Sequence, residues 1–148
     1  MSSVLVSIII VNYNTLELTK QCIESVIVNT YDIKYEIIVI DNNSTDGSKE
    51  FFATDNRIIF IPNDSNYGFG IANNIGAKIA KGKYLFFLNS DTILLNDAVN
   101  ILSDILMKHE DVAVCGGNLY DSEGHPILSY SLTFPSICFL FDELLLRI

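Results

Sequence analysis

Residues 4–11 read VLVSIIIV, and the polar residues Asn12 and Asn14 follow them almost directly. A continuous apolar run rich in Val and Ile is typical of a strand that is buried on both faces of a parallel sheet. The amides that follow place hydrogen-bonding side chains at the carboxyl end of this strand. We therefore expect a central strand that ends in a polar loop.

Similar apolar runs alternate with helical patterns along the rest of the chain. Further strands are predicted at residues 36–40, 57–61, 84–88 and 112–115. Pro62 stops the strand at residues 57–61. Helical spacing of apolar residues covers residues 18–27, 48–53, 71–80 and 98–106. A turn at residues 122–126 favours a hairpin with residues 127–131. The alternation predicts an α/β fold with a doubly wound, mostly parallel sheet.

Composition narrows the class of protein. The chain has 148 residues, 49% hydrophobic and 18% charged, which suits one compact domain with a core. The net charge of -9 argues against a nucleic-acid partner, but a divalent cation could still bring in a nucleotide. Cys22, Cys115 and Cys138 are expected to be buried free thiols, without zinc spacing. The N-terminal residues do not have the pattern of a signal peptide, and no apolar run in the sequence approaches the length of a membrane span. We therefore expect a cytoplasmic protein.

Polar loops follow each of the first four predicted strands. Ligands of open α/β sheets bind at the carboxyl ends of the strands, so these loops form a candidate site. After the fourth strand, Asn89 and Asp91 are separated by one residue and can point the same way, toward a hard divalent cation. Asp41, after the second strand, can accept hydrogen bonds from a base or a ribose. The glycines and amides of residues 66–76 allow a ligand to approach the backbone at a helix start.

Other ligand-binding classes fit less well. A dinucleotide fingerprint is excluded because Gly68 and Gly70 follow the third strand and Asn73 stands where the third glycine belongs. A receiver domain would need an aspartate at Pro62 or Asn63. A sugar nucleotidyltransferase would need a glycine- and arginine-rich loop in place of residues 12–15, and is the weaker alternative. A non-catalytic nucleotide-sugar-binding or scaffold protein stays open.

Four motifs together resemble glycosyltransferases of family 2, most closely the rhamnosyltransferase-like branch. They read SIIIVNYN at residues 7–14, IVIDNNSTDGS at 38–48, NYGFGIANNIG at 66–76 and LFFLNSDT at 85–92. The match covers residues 4–121 in order. The resemblance implies a GT-A (Rossmann-like) fold, a nucleoside-diphosphate-sugar donor, a sugar or lipid-linked glycan acceptor, and Mg²⁺ or Mn²⁺. It implies an inverting enzyme of polysaccharide biosynthesis.

The resemblance also assigns roles to individual positions. Asn12 and Asp41 would contact the nucleoside, Asn74 would border the donor pocket, and Asp91 would bind the metal. The expected nucleotide-binding residues are Asn12, Asn14, Asp41, Asn66, Gly68, Asn74 and Asn89. One departure is that Asn89 occupies the first acidic position of the D-x-D motif, which weakens direct coordination of the metal by that residue.

The second departure concerns the general base, which the family takes from an acidic motif well downstream of the D-x-D motif. Residues 141–143 read FDE but lie too close to Asp91, and no glycine-rich strand precedes them. We therefore expect the base beyond Ile148, in a chain that is truncated and binds the donor only. Residues 1–133 would form the nucleotide-sugar-binding domain and residues 134–148 the start of an acceptor-side region. The apolar tail, residues 137–148, would self-associate or be poorly ordered; homo-oligomers and peripheral membrane association of the full-length protein stay open.

Overall fold

The computed structural model describes residues 4–127, which belong to two compact units divided between Cys115 and Gly116. In the first unit, four strands form one parallel sheet in the order β3-β2-β1-β4. The strands are β1 (Val6–Asn12), β2 (Tyr35–Asp41), β3 (Ile59–Pro62) and β4 (Tyr84–Asn89). The helices are α1 (Leu16–Asn29), α2 (Ser48–Phe52), α3 (Gly68–Ile79) and α4 (Ala98–Lys108).

β1 is central, and all of its residues are buried. Its neighbours are β2 on one side and β4 on the other, so the chain reverses its winding direction at β1. The register pairs Asn12 with Asp41 and Val11 with Asn89. The carboxyl ends of β1, β2 and β4 therefore lie side by side, at the kind of switch point where α/β sheets bind ligands.

Helices cover both faces of the sheet. One face packs against α1, α2 and α4, with Cys22, Ile23 and Val26 as the buried residues of α1 in its core. The other packs against α3, where a Cβ added at Gly76 would lie 2.6 Å from Ile9 Cγ2. Only a glycine permits this approach, and it brings the helix close to the centre of the sheet. Within residues 4–127, none of the helices combines the length and apolar character needed to cross a bilayer.

The second unit begins at Gly116, and the structure describes it through Ile127. Two short strands, β5 (Leu119–Tyr120) and β6 (Pro126–Ile127), pair antiparallel. Asp121 Oδ1 accepts hydrogen bonds from the backbone N–H groups of Glu123 and His125, at 2.9 and 2.8 Å, which closes the turn between them.

These observations confirm the α/β class, the doubly wound parallel sheet and the hairpin turn at residues 122–126. The predicted strand at residues 112–115 is wrong: the segment is irregular, and Val114 is 85% exposed. A short apolar run becomes a strand only where a sheet edge pairs with it, and none does so here. Cys22 is buried as expected, whereas Cys115 is only partly buried. The third cysteine, the boundary at 133/134 and the tail at 137–148 lie outside the described residues.

Candidate functional site

The ends of β1 and β2 are joined by two buried polar side chains. Asn12 Nδ2 donates a hydrogen bond of 2.6 Å to Asp41 Oδ1 and one of 3.0 Å to Ser44 Oγ. Asp41 Oδ2 accepts a further hydrogen bond from the backbone N–H of Ser44, at 2.9 Å. Asn12 and Asp41 are fully buried. Because a buried carboxylate is costly unless it is hydrogen-bonded, Asn12 and Ser44 are what allow Asp41 to stand there.

The amide oxygen of Asn12 faces the start of α1. Thr15 and Thr19 donate to Asn12 Oδ1 over 2.9 and 2.8 Å. Both donors and both acceptor sites of the amide are therefore used, so the orientation of Asn12 is set by its neighbours. Asn12 links the loop after β2 to the first turn of α1.

The loops that follow β1 and β2 are also tied to each other through Asn14. Its backbone N–H donates to Ser44 Oγ at 2.9 Å, and its Oδ1 accepts from the Thr45 N–H at 2.8 Å. Asn14 has a φ of 54°, a left-handed conformation that Asn tolerates better than most residues. Its side chain lies at the surface.

Asp46 caps two helices at once. Its Oδ2 accepts from the Leu16 N–H at 2.9 Å, and its Oδ1 accepts from the N–H and Oγ of Ser48, at 3.1 and 2.6 Å. Partial burial alone would raise the pKa of Asp46, but the hydrogen bonds from Ser48 and Leu16 outweigh it and lower that pKa below its ordinary value. The carboxylate thus remains ionised and holds the starts of α1 and α2 together.

The start of α3 reaches the same edge of the sheet. Asn66 Oδ1 accepts a hydrogen bond of 2.9 Å from the N–H of Gly68, whose φ of 79° favours glycine. Asn42, just after β2, donates to the Gly68 carbonyl at 3.3 Å and accepts from Asn63 at 2.9 Å. Asn74 lies exposed on α3. The free N–H groups of a helix start favour an anionic group beside them.

The strand-four motif, residues 89–91, presents two exposed oxygen-bearing side chains, Asn89 and Asp91. Between them, Ser90 Oγ lies 3.3 Å from Thr15 Oγ1. Cys22 lies beneath the motif, and its Sγ is 3.5 Å from the Asn89 carbonyl oxygen. Burial, and secondarily the charge of Asp91, raise the pKa of Cys22 to about 12, so this thiol stays protonated.

The residues at this edge suit a cation that arrives together with phosphates. Within residues 4–127, no three His, Cys, Asp or Glu side chains gather into a preformed cage. Mg²⁺ commonly uses one or two carboxylates and takes its remaining ligands from water and substrate phosphates. Asp91 is one exposed carboxylate, and Asn89, two residues before it, is a second exposed oxygen-bearing side chain, which fits that pattern.

The structure thus brings three of the predicted residues, Asn12, Asn14 and Asp41, into one hydrogen-bonded cluster. Asn66 and Gly68 form a second group. Asn42, which follows Asp41 in the chain, donates to the Gly68 carbonyl and so connects this group to the first. Five residues that bond to these positions or to one another were not predicted from the sequence: Thr15, Thr19, Asn42, Ser44 and Ser90. One available signal was the spacing of Thr15 and Thr19, four apart at a helix start, where both can face one point.

Comparison with known proteins identifies the family of this chain. The family model described as "Glycosyl transferase family 2" matches residues 7–143. Glycosyltransferase GlyG of Streptococcus pneumoniae serotype 4 is 33% identical over 124 residues, covering 80% of this chain and 40% of GlyG. WfaP of Escherichia coli is 43% identical over 89 residues, which are 59% of this chain and 35% of that protein. This chain therefore spans well under half the length of these two relatives.

Solved structures share the fold. TarS 1-349 of S. aureus, in a crystal structure with UDP, has a TM-score of 0.63 and 20% sequence identity. That likeness covers 72% of this chain and 33% of the TarS chain. At this identity it supports the fold alone, which is the GT-A arrangement of a mostly parallel sheet between helices. On the family match and the curated relatives, this chain belongs to glycosyl transferase family 2.

Proposed function

We propose that this chain binds a nucleoside-diphosphate sugar at the carboxyl ends of β1, β2 and β4, and that the complete enzyme transfers the sugar to an acceptor hydroxyl. The observation that carries the proposal is that the buried Asn12–Asp41 pair lies at the same edge of the sheet as the exposed pair Asn89 and Asp91. The first pair suits the nucleoside and the second suits the diphosphate.

At the nucleoside end, the expected contact is a hydrogen bond from the base or ribose to Asp41. Each carboxylate oxygen of Asp41 accepts one hydrogen bond within the protein and retains acceptor capacity for a second. Asp41 has no exposed surface, so a direct contact requires the residues around its carboxylate, Ser44 among them, to move aside. Asn14 and Asn66 would line the same end of the site.

At the diphosphate end, the protein is acidic, with a net charge of -9, and a bare diphosphate would be repelled. A bound Mg²⁺ or Mn²⁺ would neutralise the diphosphate and the charge that develops as it leaves. Asp91 would hold that cation, and the amide of Asn89 would contact the nucleotide. The N–H groups at the start of α3, near Gly68, would face the sugar-phosphate, and Asn74 would border the donor pocket.

The names of related proteins support the ligand class. TarS has been crystallised with UDP and with UDP-GlcNAc. WfaP is named a UDP-Glc:alpha-D-GlcNAc-diphosphoundecaprenol beta-1,3-glucosyltransferase, with a nucleotide-sugar donor and a lipid-linked glycan acceptor. By extension we propose a uridine-containing donor and a sugar or lipid-linked glycan acceptor for the enzyme to which this chain contributes.

Transfer with inversion needs a carboxylate that deprotonates the acceptor hydroxyl as the diphosphate departs. We propose that this base is none of residues 4–127, and that residues 141–143, which read FDE, lie too close to Asp91 to supply it. The 148-residue chain is therefore expected to bind the donor without transferring its sugar.

Calorimetric titration tests the proposal. UDP should bind the chain with one-to-one stoichiometry in the presence of Mn²⁺, and binding should weaken strongly when EDTA removes the metal. Absence of UDP binding under both conditions would overturn the donor assignment. Sugar transfer by the chain alone, measured with radiolabelled UDP-GlcNAc and a panel of glycan acceptors, would overturn the placement of the base.

A further inference from the structure

Thr15 occupies the residue before α1, where a threonine normally caps the helix. An N-cap hydroxyl usually accepts a hydrogen bond from a backbone N–H in the first turn. Thr15 makes no such side-chain cap. The carboxylate of Asp46 binds the first helical N–H, that of Leu16, instead. Asp46, in the loop after β2, therefore caps α1 in place of Thr15, and the Thr15 hydroxyl bonds to other side chains.

That hydroxyl connects two parts of the site. Thr15 Oγ1 lies 2.9 Å from Asn12 Oδ1 and 3.3 Å from Ser90 Oγ. Thr15 is the donor in both contacts and carries one hydroxyl proton, so at any moment it donates either to Asn12 Oδ1 or to Ser90 Oγ. Since Asn12 also donates to Asp41 at 2.6 Å, contacts within hydrogen-bond distance join four side chains in a row: Asp41, Asn12, Thr15 and Ser90.

The two ends of this chain are the two ends of the proposed site. Asp41 lies at the nucleoside end, and Ser90 is flanked by Asn89 and Asp91 at the diphosphate end. We propose that Thr15 is a positioning residue, which couples the carboxylate of Asp41 to the strand-four motif through Asn12 and Ser90. This inference rests on the proposed nucleotide site.

The physical basis is that Asn12 cannot adapt alone. Its amide makes four hydrogen bonds inside the protein and is fully buried, so rotating it would break several bonds together. A shift of Asp41 on nucleoside binding is therefore passed to Thr15, and from there to Ser90. Without the Thr15 hydroxyl, residues 89–91 lose their side-chain link to the rest of the site.

The test compares three substitutions by calorimetric titration of UDP with Mn²⁺. Thr15→Val keeps the shape of the side chain and removes the hydroxyl, Thr15→Ser keeps the hydroxyl, and Ser90→Ala removes the far partner. We expect Thr15→Val and Ser90→Ala each to weaken UDP binding by about threefold to tenfold, the range for loss of one neutral hydrogen bond. Thr15→Ser should retain near-normal affinity. Thr54→Val, which removes an exposed hydroxyl bonded to the Phe51 carbonyl, is the matched control.

The double variant decides between coupling and independent effects. If the hydroxyls of Thr15 and Ser90 act through one contact, Thr15→Val with Ser90→Ala should bind UDP no more weakly than either single variant. A double variant in which the losses of UDP affinity in the two single variants multiply would overturn the proposal. So would a Thr15→Val protein that unfolds more easily but binds UDP with normal affinity, since that result indicates a purely structural role. If Thr15→Val does not fold, a normal affinity in Ser90→Ala alone overturns it. Failure of the unsubstituted chain to bind UDP would instead refute the underlying site.

Discussion

Asn12 Nδ2 lies 2.6 Å from Asp41 Oδ1, and neither side chain has any exposed surface. The two residues are directly paired in the parallel register of β1 and β2. An amide from one strand thus holds a carboxylate from the next at the point where both strands end. The pair holds an acidic side chain at the switch point of the sheet, where a small-molecule ligand is expected.

Asn12→Asp should make the stability of the protein depend on pH. The change preserves shape but places a second carboxylate against Asp41, and two such groups cannot both remain ionised at this distance. The folded variant then holds one shared proton at a pH where the carboxylates of the unfolded chain, with pKa values of about 3.9, have released theirs, so stability is present at acidic pH and is lost as the pH rises. We expect a loss of about 3 kcal/mol at pH 7 relative to the native chain, as when a buried charge loses its partner.

Urea unfolding at pH 5 and at pH 8 measures this effect. Asn43→Asp is the control, because Asn43 is exposed in the neighbouring loop and its Oδ1 accepts a hydrogen bond from Lys49. A variant Asn12→Asp whose stability shows the same pH dependence as the control would contradict the tight Asn12–Asp41 contact.

Asp41→Asn should weaken nucleotide binding. The substitution keeps the volume of the side chain but removes the charge, and a hydrogen bond to a charged group is worth about 1.5–3 kcal/mol. Calorimetry with UDP and Mn²⁺ gives the affinity, with Asp104→Asn on the exposed side of α4 as the control. Reduced stability with unchanged affinity would show that Asp41 only organises the loop.

Asp91→Ala should abolish the metal-dependent part of UDP binding while leaving the fold intact. Asp91 is exposed, so its loss removes no core packing. The difference between the UDP affinity measured with Mn²⁺ and that measured with EDTA gives the contribution of the metal to binding. Asp111→Asn, at another exposed aspartate, serves as the control. An Asp91→Ala protein that still gains affinity from Mn²⁺ would remove Asp91 from the metal site.

Asp46→Ala should destabilise the protein by about 1 kcal/mol, the usual cost of losing a helix cap. Hydrogen bonds lower the pKa of Asp46 in the folded state from its ordinary value of 3.8. Its stabilisation is therefore fully present above that value and is lost as the pH falls through the lower, folded pKa. Thermal unfolding of the native chain and of Asp46→Ala should show a difference in Tm at pH 7 that shrinks at pH 2.5. An equal difference in Tm at the two pH values would show that Asp46 stabilises the protein without its charge.

Much of this architecture was predictable because buried parallel strands leave a strong signal. The run at residues 4–11 predicted β1, and the polar residues after each strand pointed to the edge of the sheet where we propose the site. The predicted strand at residues 112–115 failed for the opposite reason. Its pattern is short and local, whereas strand formation there depends on a partner that local sequence does not encode.

The connections within the site were not predictable from the same patterns. That Asn12 bonds Asp41 rather than solvent depends on the register of two strands 29 positions apart. A threonine just before a helix normally caps it, and only the three-dimensional arrangement shows that Asp46 takes that role here in place of Thr15. Pairings between distant loops follow from tertiary packing, which single-residue preferences do not report.

We propose that the ends of β1, β2 and β4 form a single nucleotide site. Chemical-shift mapping of the ¹⁵N-labelled chain, titrated with UDP and Mg²⁺, distinguishes this site from binding elsewhere on the protein. We expect the largest shifts to fall together on residues 12–15, 41–45 and 90–92, with one shared dissociation constant. Shifts confined to the cleft between α1 and α2, around Lys20, Phe51 and Arg57, or absent from all three segments, would contradict it.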